Sequence, residues 1–173
     1  MWNGATLALE NVKTWYWPSQ TSIQTVVVGD VDSDGQTEIV TGGVYAGATG
    51  YVAMLCVWNG ATLALENVKT WYWLGNTYIW SVAVGDANGD GKNEIITGGI
   101  YLDGDRWVAQ ACVWDGATLE LKNVQTWYWS TWYTDIWSVA VGDVDGDGKT
   151  EIVTGGDYWD GTRVVAQLCV WTW

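Results

Sequence analysis

The sequence predicts an all-β chain of propeller blades, each a meander of four antiparallel strands, and three observations predict it. A sixteen-residue passage recurs: residues 2–17 read WNGATLALENVKTWYW, residues 58–73 repeat every letter, and residues 114–129 read WDGATLELKNVQTWYW. Between these copies lie short runs of β-branched and aromatic residues bounded by Asp, Asn and Gly, which is strand and turn chemistry. No segment carries the 3.6-residue apolar period of an amphipathic helix. A repeat of about 56 residues with four strand-like runs matches a propeller blade in length and content. The 173 residues therefore divide into one repeat domain, 1–173, with units at 2–57, 58–113 and 114–170.

The third unit shows the elements in order. Ile136–Gly142 (IWSVAVG) is the first, innermost strand, and an Asp/Gly loop follows it. Glu151–Thr154 resumes the strand pattern and is expected to end at Gly155-Gly156. Arg163–Trp171 (RVVAQLCVW) is the third strand. The outer strand is represented by Ala117–Trp127, entered through Asp115-Gly116. Asn3-Gly4, Asn59-Gly60 and Asp115-Gly116 read as two-residue hairpin turns, in which both central residues need φ > 0.

On this reading the chain starts with an outer strand, Ala5–Trp15, and finishes on a third strand, so the order of its blades is staggered. Known propellers close with about four to eight blades, so three cannot make a ring. Two chains supply six, each amino-terminal strand completing the third blade of the partner. The expectation is a homodimer that closes one six-bladed ring by strand exchange, two-fold symmetry being the commonest closed form.

Composition narrows the function. Twenty acids against seven bases give a formal net charge of −13, which excludes a general nucleic-acid binder and disfavours an anionic membrane surface. With no histidine, His-based acid–base chemistry, Ser–His and Cys–His nucleophiles and imidazole metal sites are excluded. No apolar run approaches the roughly 18 residues of a membrane span, and Met1-Trp2-Asn3-Gly4 does not open a signal peptide. Sixteen Trp and nine Tyr stand beside no Phe, so nearly every ring carries a polar group that must find a partner.

Each unit places an acidic loop between its first two strands. The loops run Asp30, Asp32, Asp34, Gln36, Glu38; Asp86, Asn88, Asp90, Lys92, Glu94; and Asp143, Asp145, Asp147, Lys149, Glu151. The spacing D-x-[DN]-x-D-G-x-x-E lets oxygens at positions 1, 3 and 5 converge, with Gly at 6 for the sharp turn. The main-chain carbonyl at 7 (Gln36, Lys92, Lys149) and the carboxylate at 9 add to the set. All-oxygen ligation suits a hard cation, and Ca²⁺ above Mg²⁺, because it accepts six to eight ligands. Eleven of the twenty acids occupy these positions, and about three Ca²⁺ per chain would move the net charge from −13 to about −7. Far from any nucleophile, such a closed site reads as a hairpin staple rather than a catalytic metal.

The run VAVGDVDGDGKTEIVTGG resembles the strand–loop–strand core of FG-GAP/VCBS repeats, found in integrin α-subunit propellers and in related bacterial, archaeal and fungal-lectin propellers. The resemblance implies a propeller with Ca²⁺ in the hairpin between the first two strands, and a place outside the cell or on its surface. Glu at position 9, where the family usually has Asp, and the repeated Trp-Tyr-Trp are departures from its pattern.

Cys56, Cys112 and Cys169 occupy one equivalent position per unit, too far apart in a ring to pair, and read as small buried hydrophobes. The rim opposite the acidic loops gathers Trp17, Tyr45, Trp73, Tyr101, Trp129 and Tyr158, one Trp and one Tyr per unit. Carboxylates, amides and Arg stand nearby. Flat rings beside such groups suit sugars, whose CH faces stack while their hydroxyls hydrogen-bond. The function expected is a Ca²⁺-stabilised binding module, lectin-like or adhesive, with carbohydrate as ligand. The alternative is a structural, designed or amplified propeller assembly with no ligand beyond calcium. An enzyme is not expected; a glycosidase using rim acids such as Asp103 and Asp105 is the reading that would revive it.

Overall fold

The computed structural model describes residues 8–129 and 132–173. Eleven strands form three antiparallel sheets, and no helix occurs among the described residues. The first sheet is β1 (Thr21–Gly29), β2 (Glu38–Ala46), β3 (Tyr51–Asn59) and β4 (Leu65–Trp71). The second repeats it with β5 (Thr77–Gly85), β6 (Glu94–Asp103), β7 (Arg106–Asp115) and β8 (Leu121–Trp127). The third has three strands, β9 (Thr134–Gly142), β10 (Glu151–Trp159) and β11 (Val164–Trp171). Each sheet is a simple meander in sequence order, as the blade reading requires.

The paired glycines lie inside the second strand of each sheet instead of ending it. β10 continues through Gly155-Gly156 to Trp159, five residues beyond the Thr154 expected from the sequence. Register shifts beside each glycine pair mark β-bulges, at which Gln24, Trp80 and Trp137 are the extra residues. The second glycine of each pair permits the bulge. A Cβ on Gly43, Gly99 or Gly156 would run into the carbonyl oxygen of Ser22, Tyr78 or Asp135.

The outer hairpins also differ from expectation. Asn59-Gly60 does not form a two-residue turn: the Asn59 N–H donates to the Ala64 carbonyl, and the left-handed residue is Leu63 (φ 55°). The Asn59 side chain holds the turn by accepting from the Ala61 and Thr62 N–H groups at 3.2 and 3.0 Å. Asp115 and Leu119 (φ 56°) repeat this arrangement, whereas Asn3-Gly4 lies outside the described residues. The expected amino-terminal strand Ala5–Trp15 falls partly outside them too, and residues 10–15 carry no strand.

The sheets stack face to face with the second in the middle. One core, built on Val40, Leu55, Val57, Ile79, Val82 and Ile95, fills the gap between the first and second sheets. Another, with Ile96, Ala109, Val113, Ile136 and Val139, fills the gap between the second and third. The outer-strand Trp of one sheet packs on the third-strand Trp of the next, Trp71 on Trp114 at 4.6 Å and Trp127 on Trp171 at 4.7 Å between centroids. Trp15 sits on Trp58 in the same way at 4.4 Å.

Most indole N–H groups in these contacts find partners. Trp58, Trp114 and Trp171 donate to Thr41, Thr97 and Thr154, each at 3.0 Å. Trp71 and Trp127 donate to Gln110 and Gln167. Trp15 Nε1 is buried without a partner, because Met54 stands where the later units have glutamine.

Candidate metal centre

The hairpins β1–β2, β5–β6 and β9–β10 carry the three acidic loops, all at one end of the sheet stack. Each loop is wound around the carboxylate at its first position. Asp30 accepts the N–H groups of Asp34 and Gly35 at 3.1 and 3.0 Å. Asp86 accepts those of Gly89, Asp90 and Gly91, and Asp143 those of Gly146 and Gly148. Gly35, Gly91 and Gly148 at position 6 have φ of 87°, 84° and 85°, which supplies the sharp turn. Position 4 is also left-handed, and in the first loop it is Ser33 (φ 64°) rather than glycine.

The structure brings positions 1, 3 and 9 together. Oxygens of Asp30, Asp32 and Glu38 lie within 4.8 Å of one another, as do those of Asp143, Asp145 and Glu151. In the second loop Asn88 replaces one carboxylate and donates from Nδ2 to Glu94 at 2.9 Å. Position 5 lies in the same turn: Asp34, Asp90 and Asp147 each accept the N–H of Gln36, Lys92 or Lys149 through one oxygen. These three residues, expected to offer their carbonyls, thus show their N–H groups tied within the loop.

Glu38, Glu94 and Glu151 are buried, and each accepts the N–H of the second loop residue, Val31, Ala87 or Val144, at 2.9–3.0 Å. Burial pushes the carboxyls of Glu38 and Glu94 above their ordinary range. The nearby loop carboxylates push the same way, against one lowering hydrogen bond. A buried carboxylate among like charges is what a bound cation relieves, so the donor set fits a divalent, oxygen-seeking ion.

The opposite rim holds the aromatic candidates in unequal settings. Trp17 and Tyr45 both pack against the buried cluster of Met54, Cys56 and Trp58. Trp73 stacks on Tyr101 with centroids 5.7 Å apart, and Tyr101 is buried. In the third unit Trp129 is 62% exposed and donates to Gln167 at 2.7 Å, while Tyr158 is half-buried. The Trp backbone is held alike in all three units, each N–H donating to the Thr that opens the next innermost strand.

Sequence reasoning passed over the bulged residues. Trp80 and Trp137 project from adjoining innermost strands with ring centroids 5.6 Å apart, and Trp80 also stacks on Tyr78. Trp137 donates to Asp157, the cross-strand neighbour of Asp135. Burial, with Asp157 nearby, raises the Asp135 carboxyl to about 6. The repeated IWSVAVG and TYIWSVAVG strings carried the signal, since Trp there breaks the strand's apolar alternation. Two of the three cysteines match expectation: Cys56 and Cys112 are buried, and burial pushes their thiols up to about 11 and about 12, whereas Cys169 on the outward third sheet is only half-buried.

No curated protein matches the chain. The family described as FG-GAP repeat matches residues 136–166, which span β9, the third acidic loop, β10 and the start of β11. Residues 136–166 of the third unit are thus similar to an FG-GAP repeat, and they lie in an all-β fold of three blade-like sheets.

Proposed function

We propose that the chain is a calcium-stabilised propeller module that binds carbohydrate on the rim opposite its metal loops. The observation that carries the calcium reading is the pair of carboxylate triads, each of which includes a buried glutamate. Three loops take about three Ca²⁺ per chain, through side chains at positions 1, 3, 5 and 9 and carbonyls at position 7. The metal holds each hairpin in shape and takes no part in chemistry; the module is read as a binder and not as an enzyme. Its closed form is a six-bladed ring with three blades from each of two chains. By the same family resemblance it works outside the cell or at its surface, where calcium is abundant.

Carbohydrate is favoured as ligand by the indole of Trp129, whose N–H is anchored to Gln167 while most of the side chain remains exposed. Trp17 with Tyr45 and Trp73 with Tyr101 are its repeated counterparts, more engaged in packing. Calorimetric titration with calcium and a melt in excess chelator test the metal. Ligand at one hundred times its Kd adds about 2.7 kcal/mol per site, so chelation lowers the Tm clearly, and an unchanged Tm rejects the structural role. A glycan array read with wild type and Trp129→Ala tests the rim: the variant loses binding and keeps its Tm. Absence of any glycan signal leaves the calcium-only assembly unit as the better account.

A further inference from the structure

The two outward faces of the sheet stack complement each other, and the two seams inside the chain show how. In the first seam, Ile79 and Val82 of β5 pack against Gly42 of β2, their methyls 2.7 and 2.8 Å from where a Cβ would stand. In the second seam, Ile136 and Val139 meet Gly98 in the same relation. Val84 covers Gly29 and Val141 covers Gly85 likewise. On the outward face of the third sheet, the corresponding Gly155 and Gly142 have nothing within 4 Å. On the outward face of the first sheet, the corresponding Ile23, Val26 and Val28 are exposed: Val26 at 61%, against 7% for its counterpart Val82.

Two further sets of groups match in register. Val31 of the first acidic loop is buried, and its carbonyl closes on Gly116 in the turn after β7. Its counterpart Val144 is 54% exposed. The counterpart of Gly116 is Gly60, which lines an apolar cleft of about 610 Å³ with Val28, Thr37 and Ile39. Along the outer edge, Trp15 occupies on Trp58 the place that Trp71 and Trp127, both outer-strand residues, occupy on Trp114 and Trp171. The segment around Trp15 thus lies where the outer strand of a preceding sheet belongs, and β11 is the edge strand of the sheet that, among the described residues, has no outer strand.

We infer that a second copy of this chain docks head to tail on the third sheet and rebuilds there the seam made twice within the chain. Ile23 and Val26 of the second copy enter beside Gly155, and its Val28 covers Gly142. Val144 of the first copy enters the cleft at Gly60 of the second. The segment around Trp15 of the second copy, already seated on its own Trp58, adds to the free edge of β11, where main-chain hydrogen bonds await a strand. The contact joins unlike faces, so it closes only as a ring, and two chains close it at six blades. The inference rests on the two-chain ring proposed above and specifies its seam.

Light scattering of the 173-residue chain in calcium buffer, with disulfide trapping, tests this. The wild type is expected at twice the 19.1 kDa of one chain. In a Cys169→Ser background, Val26→Cys with Gly155→Cys is expected to oxidise to a covalent dimer, and Val26→Cys alone to stay unlinked. Val26→Glu and Leu168→Glu, both at positions exposed within one chain, are each expected to give folded monomers. A monomeric wild type overturns both the ring and the seam, while leaving calcium and glycan binding to be judged on their own tests. A dimer linked through Val26→Cys alone, or one untouched by both Glu variants, overturns the head-to-tail seam but not the two-chain assembly. A mass of three chains with the 26–155 link intact overturns the six-blade count and keeps the seam.

Discussion

The three sheets are built from nearly the same sequence yet differ in what they bury. Leu55 of β3 is wholly buried, whereas its counterpart Leu168 of β11 is 76% exposed. Val82 is buried, and Val26 is open to solvent. Strand propensity and alternation are equal in these pairs, so neither makes a residue a core residue. A neighbouring sheet does so. In a stack of blades, burial belongs to the seam between units and not to the unit.

Four changes would break or sharpen that contrast. The largest effect is expected at Trp73, which is half-buried on Tyr101. Trp73→Ala should cost about 2–3 kcal/mol, somewhat below a fully buried Trp, whereas Trp129→Ala should be near neutral; chemical denaturation of both variants separates packing ring from open ring. Next come the seam glycines. Gly98→Ala forces a Cβ onto Ile136 and Val139 and should lower stability by about 1–3 kcal/mol. Gly155→Ala, with open space around it, should leave the fold of the single chain alone and weaken only association. Equal losses in both would show that the outward face is already covered within one chain.

A smaller effect concerns pH. Asp135 titrates at about 6 in the folded chain, above the roughly 3.9 of an unfolded aspartate. Between those values the folded chain holds the extra proton. Stability therefore falls as pH rises through this window, and the penalty is complete above it. Because the side chain is partly solvated, screening keeps the effect below about 1 kcal/mol. Asp135→Asn should raise the Tm at neutral pH and flatten the profile between pH 4 and 6. A Tm–pH curve identical to wild type would show that Asp157 and the solvent carry no such load. The smallest effect is expected at Ser33, left-handed where the other two loops have Gly89 and Gly146. Ser33→Gly relieves a strain of about 1–2 kcal/mol and adds back most of it as backbone entropy. The expected net gain is about 0.5 kcal/mol, read as a small rise in Tm.

The sequence by itself determined the elements and the acidic loops. A local period of two, Asp-Gly loops at fixed spacing and a sixteen-letter repeat depend on near neighbours alone, so the strands, their meander order and the positions of the carboxylates could be read from the letters. The triads at Asp30, Asp32 and Glu38 and at Asp143, Asp145 and Glu151 stand where the spacing put them. Tertiary structure decided what spacing does not carry. Gly155-Gly156 reads as a strand end in one dimension. It is a bulge in three, because the partner backbone must pass where a Cβ would be. Asn59-Gly60 reads as a tight turn, but the register of β3 on β4 requires a longer one closed at Leu63. The three Trp-Tyr rims read alike, and only the packing of each sheet on the next made Trp73 a structural ring and left Trp129 open. Identical letters meet different neighbours, and burial, strain and access are properties of neighbours.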